Sequence, residues 1–244
     1  MNRNRQIDAQ KNKKLYAWGV HLFTASGAVW GLLSIIAIME ERWQAAFIWL
    51  LVAVVVDSVD GVFARYFQVK GMLPGFDGGL LDNIIDYQTY VVAPAILLYK
   101  AELLPPVFAI LAPSLLVLAS AYQFAQADAK TDDHFFTGFP SYWNIAVFYL
   151  FMLGLTPWAN LVAIMLCIVM IFVPIKYIYP SRTTRFQRTT IILGIVWGGM
   201  LIVTLAQYPT IQQGLIWGSL LYVAYYVGIS VYLTNEQKRL QKFS

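Results

Sequence analysis

Cysteine is almost absent from this chain. The single thiol, Cys167, lies in an apolar run, which excludes an intrachain disulfide and offers no thiolate pair to a metal. Histidine is nearly as scarce. His21 and His134 stand far apart, so a histidine-built metal site is not suggested. Charge is sparse as well. Asp, Glu, Lys and Arg make up 12% of 244 residues and apolar residues 59%, a balance outside that of soluble globular chains. Internal repeats, low-complexity tracts and any linker that would mark a second domain are missing too. The net charge of +4 gives no sign of a nucleic-acid partner. In a chain this apolar, the placement of Lys and Arg reports membrane orientation instead.

What the chain has is apolar runs. Eight are read at roughly 18–39, 43–66, 80–99, 103–125, 141–155, 158–178, 189–206 and 212–233, using a span length of ~20 residues. The predicted fold is therefore all-α, a polytopic membrane bundle of about eight helices. The fifth run is short, and only Thr156-Pro157 separates it from the sixth, a spacing that a tight hairpin can bridge. The first run is too long for a signal-peptide core and is expected to be retained. Residues 1–16 form a basic segment with Arg3, Arg5, Lys11, Lys13 and Lys14. Two readings stay open for it: a surface helix drawn to anionic head groups, or a solvated tail that fixes topology. Residues 17–235 are read as the membrane domain and 236–244 as a tail. With the N-terminus inside, every Lys and Arg except Arg42 and Lys100 falls on the inner side, as the positive-inside rule expects. Both termini, and the inner ends of spans two and three, are then cytoplasmic.

Those inner ends carry Asp57-x-x-Asp60-Gly61-x-x-Ala64-Arg65 and Gly78-x-x-x-Asp82-x-x-x-Asp86. An acid near the centre of a membrane helix costs roughly 2.5–3.5 kcal/mol, so four together need compensation. Residues three or four apart share one helix face. Two facing helices would thus aim four carboxylates at one point. Close anions cannot all ionise without counter-charge, and hard divalent cations with oxygen ligands supply it. The blander reading, four helix caps at the membrane surface, leaves the helix-face spacing and the interleaved Gly61, Ala64, Arg65 and Gly78 unexplained.

This double motif resembles the signature of the CDP-alcohol phosphotransferases, membrane enzymes of phospholipid synthesis. Every defining position is present. The gap between Arg65 and Gly78 holds 12 residues, more than most of that family has, and is similar to that of its phosphatidylcholine synthase branch. The resemblance implies a six-helix core with two added helices, and a homodimer. It implies transfer of a phosphatidyl group from CDP-diacylglycerol to choline, with two Mn2+ or Mg2+ ions on Asp57, Asp60, Asp82 and Asp86. Asp86 is then the general base. Asp60, Gly61, Ala64, Arg65 and Gly78 hold the donor, the glycines by letting the nucleotide come close to the backbone.

Two other stretches stand out. Residues 135–144 are dense in aromatics around Phe136-x-Gly138-x-Pro140, which resembles a phrase shared by phosphatidylserine and phosphatidylcholine synthases; Ser141-Tyr142-Trp143-Asn144 looks like the choline branch. A trimethylammonium group donates no hydrogen bond and is held by aromatic faces, each contributing up to ~2 kcal/mol when desolvated. Tyr122, Tyr142, Trp143, Tyr177 and Tyr179 are the candidates; an aromatic belt at the membrane surface is the competing account. The second stretch carries Arg182, Arg185 and Arg188, where a guanidinium fork could meet phosphate or simply mark the inner side. Arg182 is the candidate for the donor. Gly194-x-x-x-Gly198 and Gly214-x-x-x-Gly218 let helices approach closely.

Two alternatives remain at this point. The acceptor could be serine, inositol phosphate or glycerol phosphate. A divalent-cation transporter would also place acids in a membrane, but spans six to eight are almost wholly apolar, which argues against it.

Overall fold

The computed structural model describes residues 2–126, 135–179, 183 and 185–240. Among the described residues the chain is all-α apart from two three-residue strands, and it forms a polytopic membrane bundle. Among the described residues, five helical segments are long and apolar enough to cross a membrane: Lys11–Met39, Trp43–Tyr66, Pro106–Ala125, Gln187–Gln207 and Gln213–Gln237. The other three predicted spans are also helical but short or interrupted. The chain folds as two compact units, residues 1–93 and 94–244.

The first unit begins with α1 (Asn2–Met39), so the basic N-terminal segment runs into the first span as one helix. A three-residue turn through Glu41, whose φ is +59°, leads into α2 (Trp43–Tyr66). A turn this short makes the two helices antiparallel neighbours. Their contact mixes small and aromatic residues. Ser34 donates to the Ala46 carbonyl at 3.0 Å, and the Trp30 and Trp49 rings stack at 5.6 Å. The long gap after Arg65 is not a loose loop. It contains a single helical turn, α3 (Val69–Met72), whose Val69 is buried against Ala17 and Val20 of α1.

The third span starts as α4 (Gly78–Asp86). Asp77 caps it, accepting from the Gly79 and Leu80 amides at 3.0 Å each, as an N-cap aspartate should. A π-helical turn (Tyr87–Val92) follows, and the chain continues as α5 (Ala93–Lys100). α4 lies along α1 in one constant register, His21 beside Gly78, Gly27 beside Ile85 and Gly31 beside Thr89. A β-carbon on Gly27 would stand 2.7 Å from Ile85 Cγ2, so glycine is what lets these helices close.

In the second unit a 3-10 turn (Pro106–Phe108) leads into α6 (Leu111–Ala125), which packs on α8 (Pro157–Ile171). α7 (Trp143–Leu153) ends at Gly154 in the left-handed region, and Thr156 caps α8 two residues later, so the break between the two runs falls at Thr156-Pro157. α7 packs on α10 (Gln213–Leu240) and α8 on α6, and the two do not lie along each other as a hairpin would. α8 stops at Ile171, short of the predicted 178. Pro174 explains this, because the residue before a proline is pushed out of the helical region. Residues Lys176–Ile178 instead form β2, which pairs antiparallel with β1 (Phe135–Thr137) in the register Phe135 to Ile178 and Thr137 to Lys176. The open edge of β2 is covered by α10 (Gln213–Leu240). Tyr226, Ser230 and Thr234 lie four apart on that helix. Tyr226 donates to the Ile178 carbonyl, while the Ser230 and Thr234 hydroxyls accept from the Ile178 and Lys176 amides. α9 (Gln187–Gln207) and α10 expose Ile191, Ile192, Ile195, Val196 and Leu221, the apolar outer surface that lipid contact calls for.

Candidate active site

The acids come from two helices of the first unit. Asp57 and Asp60 sit one turn apart near the end of α2, and Asp82 and Asp86 one turn apart on α4. Carboxylate oxygens of Asp57, Asp82 and Asp86 all lie within 4.8 Å of one another. Asp60 is 7% exposed and lines the same small cleft, with Thr24 and Gly27 of α1 and Thr89 of the π turn. The two sequence-predicted pairs therefore face each other; three acids converge and the fourth stands beside them.

The cleft holds about 10 Å³, room for one water-sized body. A nucleotide would have to lie outside it, but a cation fits. Two oxygens on opposite sides of one magnesium ion stand about 4.2 Å apart at ~2.1 Å per bond. The triad's oxygens, all within 4.8 Å of one another, match that scale. All three donors are hard oxygens, which suits Mg2+ or Mn2+ rather than a thiolate-seeking metal.

Sequence reasoning missed several contributors. Tyr90 donates its phenol hydrogen to Asp57 Oδ2 at 2.7 Å. It lies four residues past Asp86, but within the π turn, so the regular helix period did not announce it. Gly27 and Gly31 form a small-xxx-small pair like the two noted further on, and they set the α1–α4 approach. His21 of α1 is the third. Its ring fills the space beside Gly78, where a β-carbon would meet His21 Cε1 at 2.7 Å. The imidazole is buried between Trp18 and Phe76, and its Nε2 has no hydrogen-bond partner among the described residues.

The remaining motif residues divide. Arg65 leans back along α2, its Nη1 3.3 Å from where a β-carbon on Gly61 would be, which brings a cation one turn closer to Asp57 and Asp60. Ala64 packs against the Ala17, Val20 and Val69 cluster. Arg182 lies outside the described residues. Arg185 pairs with Glu236 on the surface, and that bond holds its guanidinium above the usual range.

In the second unit the aromatic candidates separate. Phe136 meets Tyr179 at 4.8 Å and Tyr142 at 6.3 Å between ring centroids. Tyr177, 3% exposed, stacks on Tyr226 at 6.0 Å. Trp143 is fully buried, with its indole N–H donating to Ser120 Oγ at 2.7 Å. Tyr122 stacks on Phe172 instead. Gly138 explains the Phe-x-Gly-x-Pro phrase. Its φ is +78°, and a β-carbon there would lie 2.1 Å from the Ile171 carbonyl oxygen. Only glycine lets this loop close onto the end of α8.

Fold and site together define an integral membrane protein with a half-buried, oxygen-only acid cluster shared by two neighbouring helices. Comparison with known proteins narrows this. No family model matches the chain. The chain is 38% identical to a phosphatidylcholine synthase of Pseudomonas aeruginosa over 222 residues, 90% of this chain and 92% of that protein. It is 40% identical to the phosphatidylcholine synthase of Legionella pneumophila over 231 residues, 91% and 90% of the two chains, and 37% identical to that of Borreliella burgdorferi over 222 residues, 90% and 95%. The chain belongs to the phosphatidylcholine synthase family, and it is an enzyme.

Proposed function

We propose that the chain transfers a phosphatidyl group from CDP-diacylglycerol to choline, giving phosphatidylcholine and CMP. The observation that carries this reading is the meeting of Asp57, Asp82 and Asp86 across two helices. Asp57, Asp82 and Asp86 would hold one divalent ion, Mn2+ or Mg2+, and Asp60 would help hold a second. Bound there, such ions supply neutralising charge for a pyrophosphate and its leaving group. Asp86 takes the proton of the choline hydroxyl as the choline oxygen bonds to the phosphorus that carries diacylglycerol. The bond from that phosphorus to the bridging oxygen breaks, and CMP leaves with the electron pair. Arg65 offers its guanidinium to a donor phosphate oxygen, and Gly61 is assigned to the nucleotide with it. At Gly78 the His21 ring already fills the space that a β-carbon would take, so that glycine serves helix packing before nucleotide approach. Arg182 is assigned to the same donor. Choline meets aromatic faces, for which Tyr142 and Tyr179 are the strongest of the five candidates, because both sit against Phe136 outside the apolar core. The positive-inside arrangement supports a site on the cytoplasmic side of a bacterial inner membrane. The homodimer that the family resemblance implies is checked by light scattering in detergent.

Purified protein supplied with CDP-diacylglycerol, Mn2+ and one labelled alcohol at a time tests the reaction. Choline alone should enter lipid, with one CMP released per phosphatidylcholine. Incorporation of serine, inositol phosphate or glycerol phosphate in its place would overturn the acceptor. No metal-dependent CMP release at all would favour cation transport.

A further inference from the structure

We infer that Tyr90 is a positioning residue for the divalent-ion site. It sets the geometry of Asp57 and so the metal affinity of the acid cluster. This inference rests on the reading of that cluster as a metal site.

Three observations carry it. The first is the bond itself. The Tyr90 hydroxyl donates to Asp57 Oδ2 at 2.7 Å, the short length of a hydrogen bond to an ionised acceptor. The second is burial. Tyr90 is 8% exposed, so its ring is fixed by packing and its hydroxyl cannot drift to bulk water. A carboxylate on an aspartate can swing about its last torsion, which is broad. A rigid donor on one oxygen removes that freedom and fixes where the other oxygen lies. Asp57 is the one member of the converging triad that comes from α2; the other two share α4 and are placed by its backbone. The triad closes only if the α2 acid is held, and Tyr90 ties it to the third span.

The third observation is local backbone geometry. Tyr90 lies within the π-helical turn Tyr87–Val92, which starts directly after Asp86. A π turn bonds i to i+5 and widens the helix, so the side chains that follow are rotated from their α-helical directions. Such turns are uncommon and concentrate at functional sites. Here the turn separates Asp86, at the end of regular α4, from the tyrosine that holds Asp57. Thr89, which lines the cleft, donates its hydroxyl to the Ile85 carbonyl at 3.1 Å within the same turn. The widened turn thus serves two ends of one site. Asp86 keeps its α-helical placement, and Tyr90 is swung to meet α2.

Partners that orient metal ligands are worth 10–100-fold in affinity when removed. Tyr90→Phe removes one oxygen and leaves the ring to fill the same space. The test is Mn2+ binding to the full chain in detergent by calorimetry, without donor or acceptor. Tyr90→Phe should bind Mn2+ about 10–100-fold more weakly than the unaltered chain. Its metal-free unfolding temperature should stay close to that of the unaltered chain, and the rise in that temperature with Mn2+ should need correspondingly more metal. In turnover, the Mn2+ activation curve should move to higher concentration by the same factor, with choline KM unmoved. An identical Mn2+ isotherm for both proteins overturns the role of Tyr90 and leaves the metal site standing. No Mn2+ binding by the unaltered chain overturns both.

Discussion

The acid-bearing helices of the first unit and the aromatic strand pair of the second are built by different means. Asp57, Asp60, Asp82 and Asp86 inherit their placement from the helix period, three or four residues to a turn. Phe136, Tyr142 and Tyr179 meet only because β1 pairs with β2 and α10 closes the open edge of β2 with Tyr226, Ser230 and Thr234. The first arrangement is local geometry repeated on two rods. The second needs segments some 40 residues apart to find a register. A change in the first should strike chemistry and metal; a change in the second should strike recognition of the acceptor.

The largest effect is expected at Asp86. Asp86→Asn keeps the shape and removes the base, and a general base contributes roughly 10²–10⁴-fold. Transfer to choline should fall by that factor in kcat while CMP still binds, measured by calorimetry. Full turnover in this variant would remove Asp86 from the role.

Gly78→Ala should come next. The new methyl would press on His21 Cε1 from 2.7 Å, and overpacking of this kind costs typically 1–3 kcal/mol. Thermal unfolding in detergent should show the loss, and activity should fall with it. His21→Ala in the same chain opens the space, so the pair should be less destabilised than the separate losses add up to. Strict additivity in that double-mutant cycle would break the packing account.

That contact marks the limit of what the sequence could reveal. The acids, the motif glycines and α2 from Trp43 to Tyr66 were legible, because span length and helix spacing need no knowledge of neighbours. The α1–α4 register was not. Nothing in the run around His21 announces that an imidazole will occupy the β-carbon space of Gly78, although Gly27-x-x-x-Gly31 could have been read as a close-packing face. The π turn after Asp86 was equally hidden, since residues 87–92 read as ordinary apolar helix. β1 and β2 were lost inside a loop and the tail of a predicted span. Pro174 was the available sign that the span ended early. Trp143 shows the opposite hazard: its place in an aromatic phrase suggested a ligand face, and the structure buries it with its N–H on Ser120.

The aromatic side of the comparison predicts a narrower effect. Tyr179→Ala or Tyr142→Ala should raise the choline KM, by up to about 30-fold if a full ~2 kcal/mol of cation–π attraction is lost. Mn2+ affinity should not change. Tyr122→Ala, on a ring paired with Phe172 and not with Phe136, should leave choline KM alone. If all three variants behave alike, the strand pair has no special claim on the ammonium group.

The smallest effect is expected at Arg185, and it separates two uses of arginine. Arg65 lies over Gly61 on the acid-bearing helix, where a phosphate-binding guanidinium would be wanted. Arg185 is about half exposed and already engaged with Glu236. Exposed ion pairs contribute little, because water and salt screen them and two long side chains must be held still. Arg185→Ala should therefore leave the KM for CDP-diacylglycerol and the unfolding temperature within error of the unaltered chain. Arg65→Lys, which keeps the charge and removes the planar fork, should raise that KM clearly. A donor KM that responds to Arg185 and ignores Arg65 would move the phosphate site from the helices of the first unit to the loop before α9.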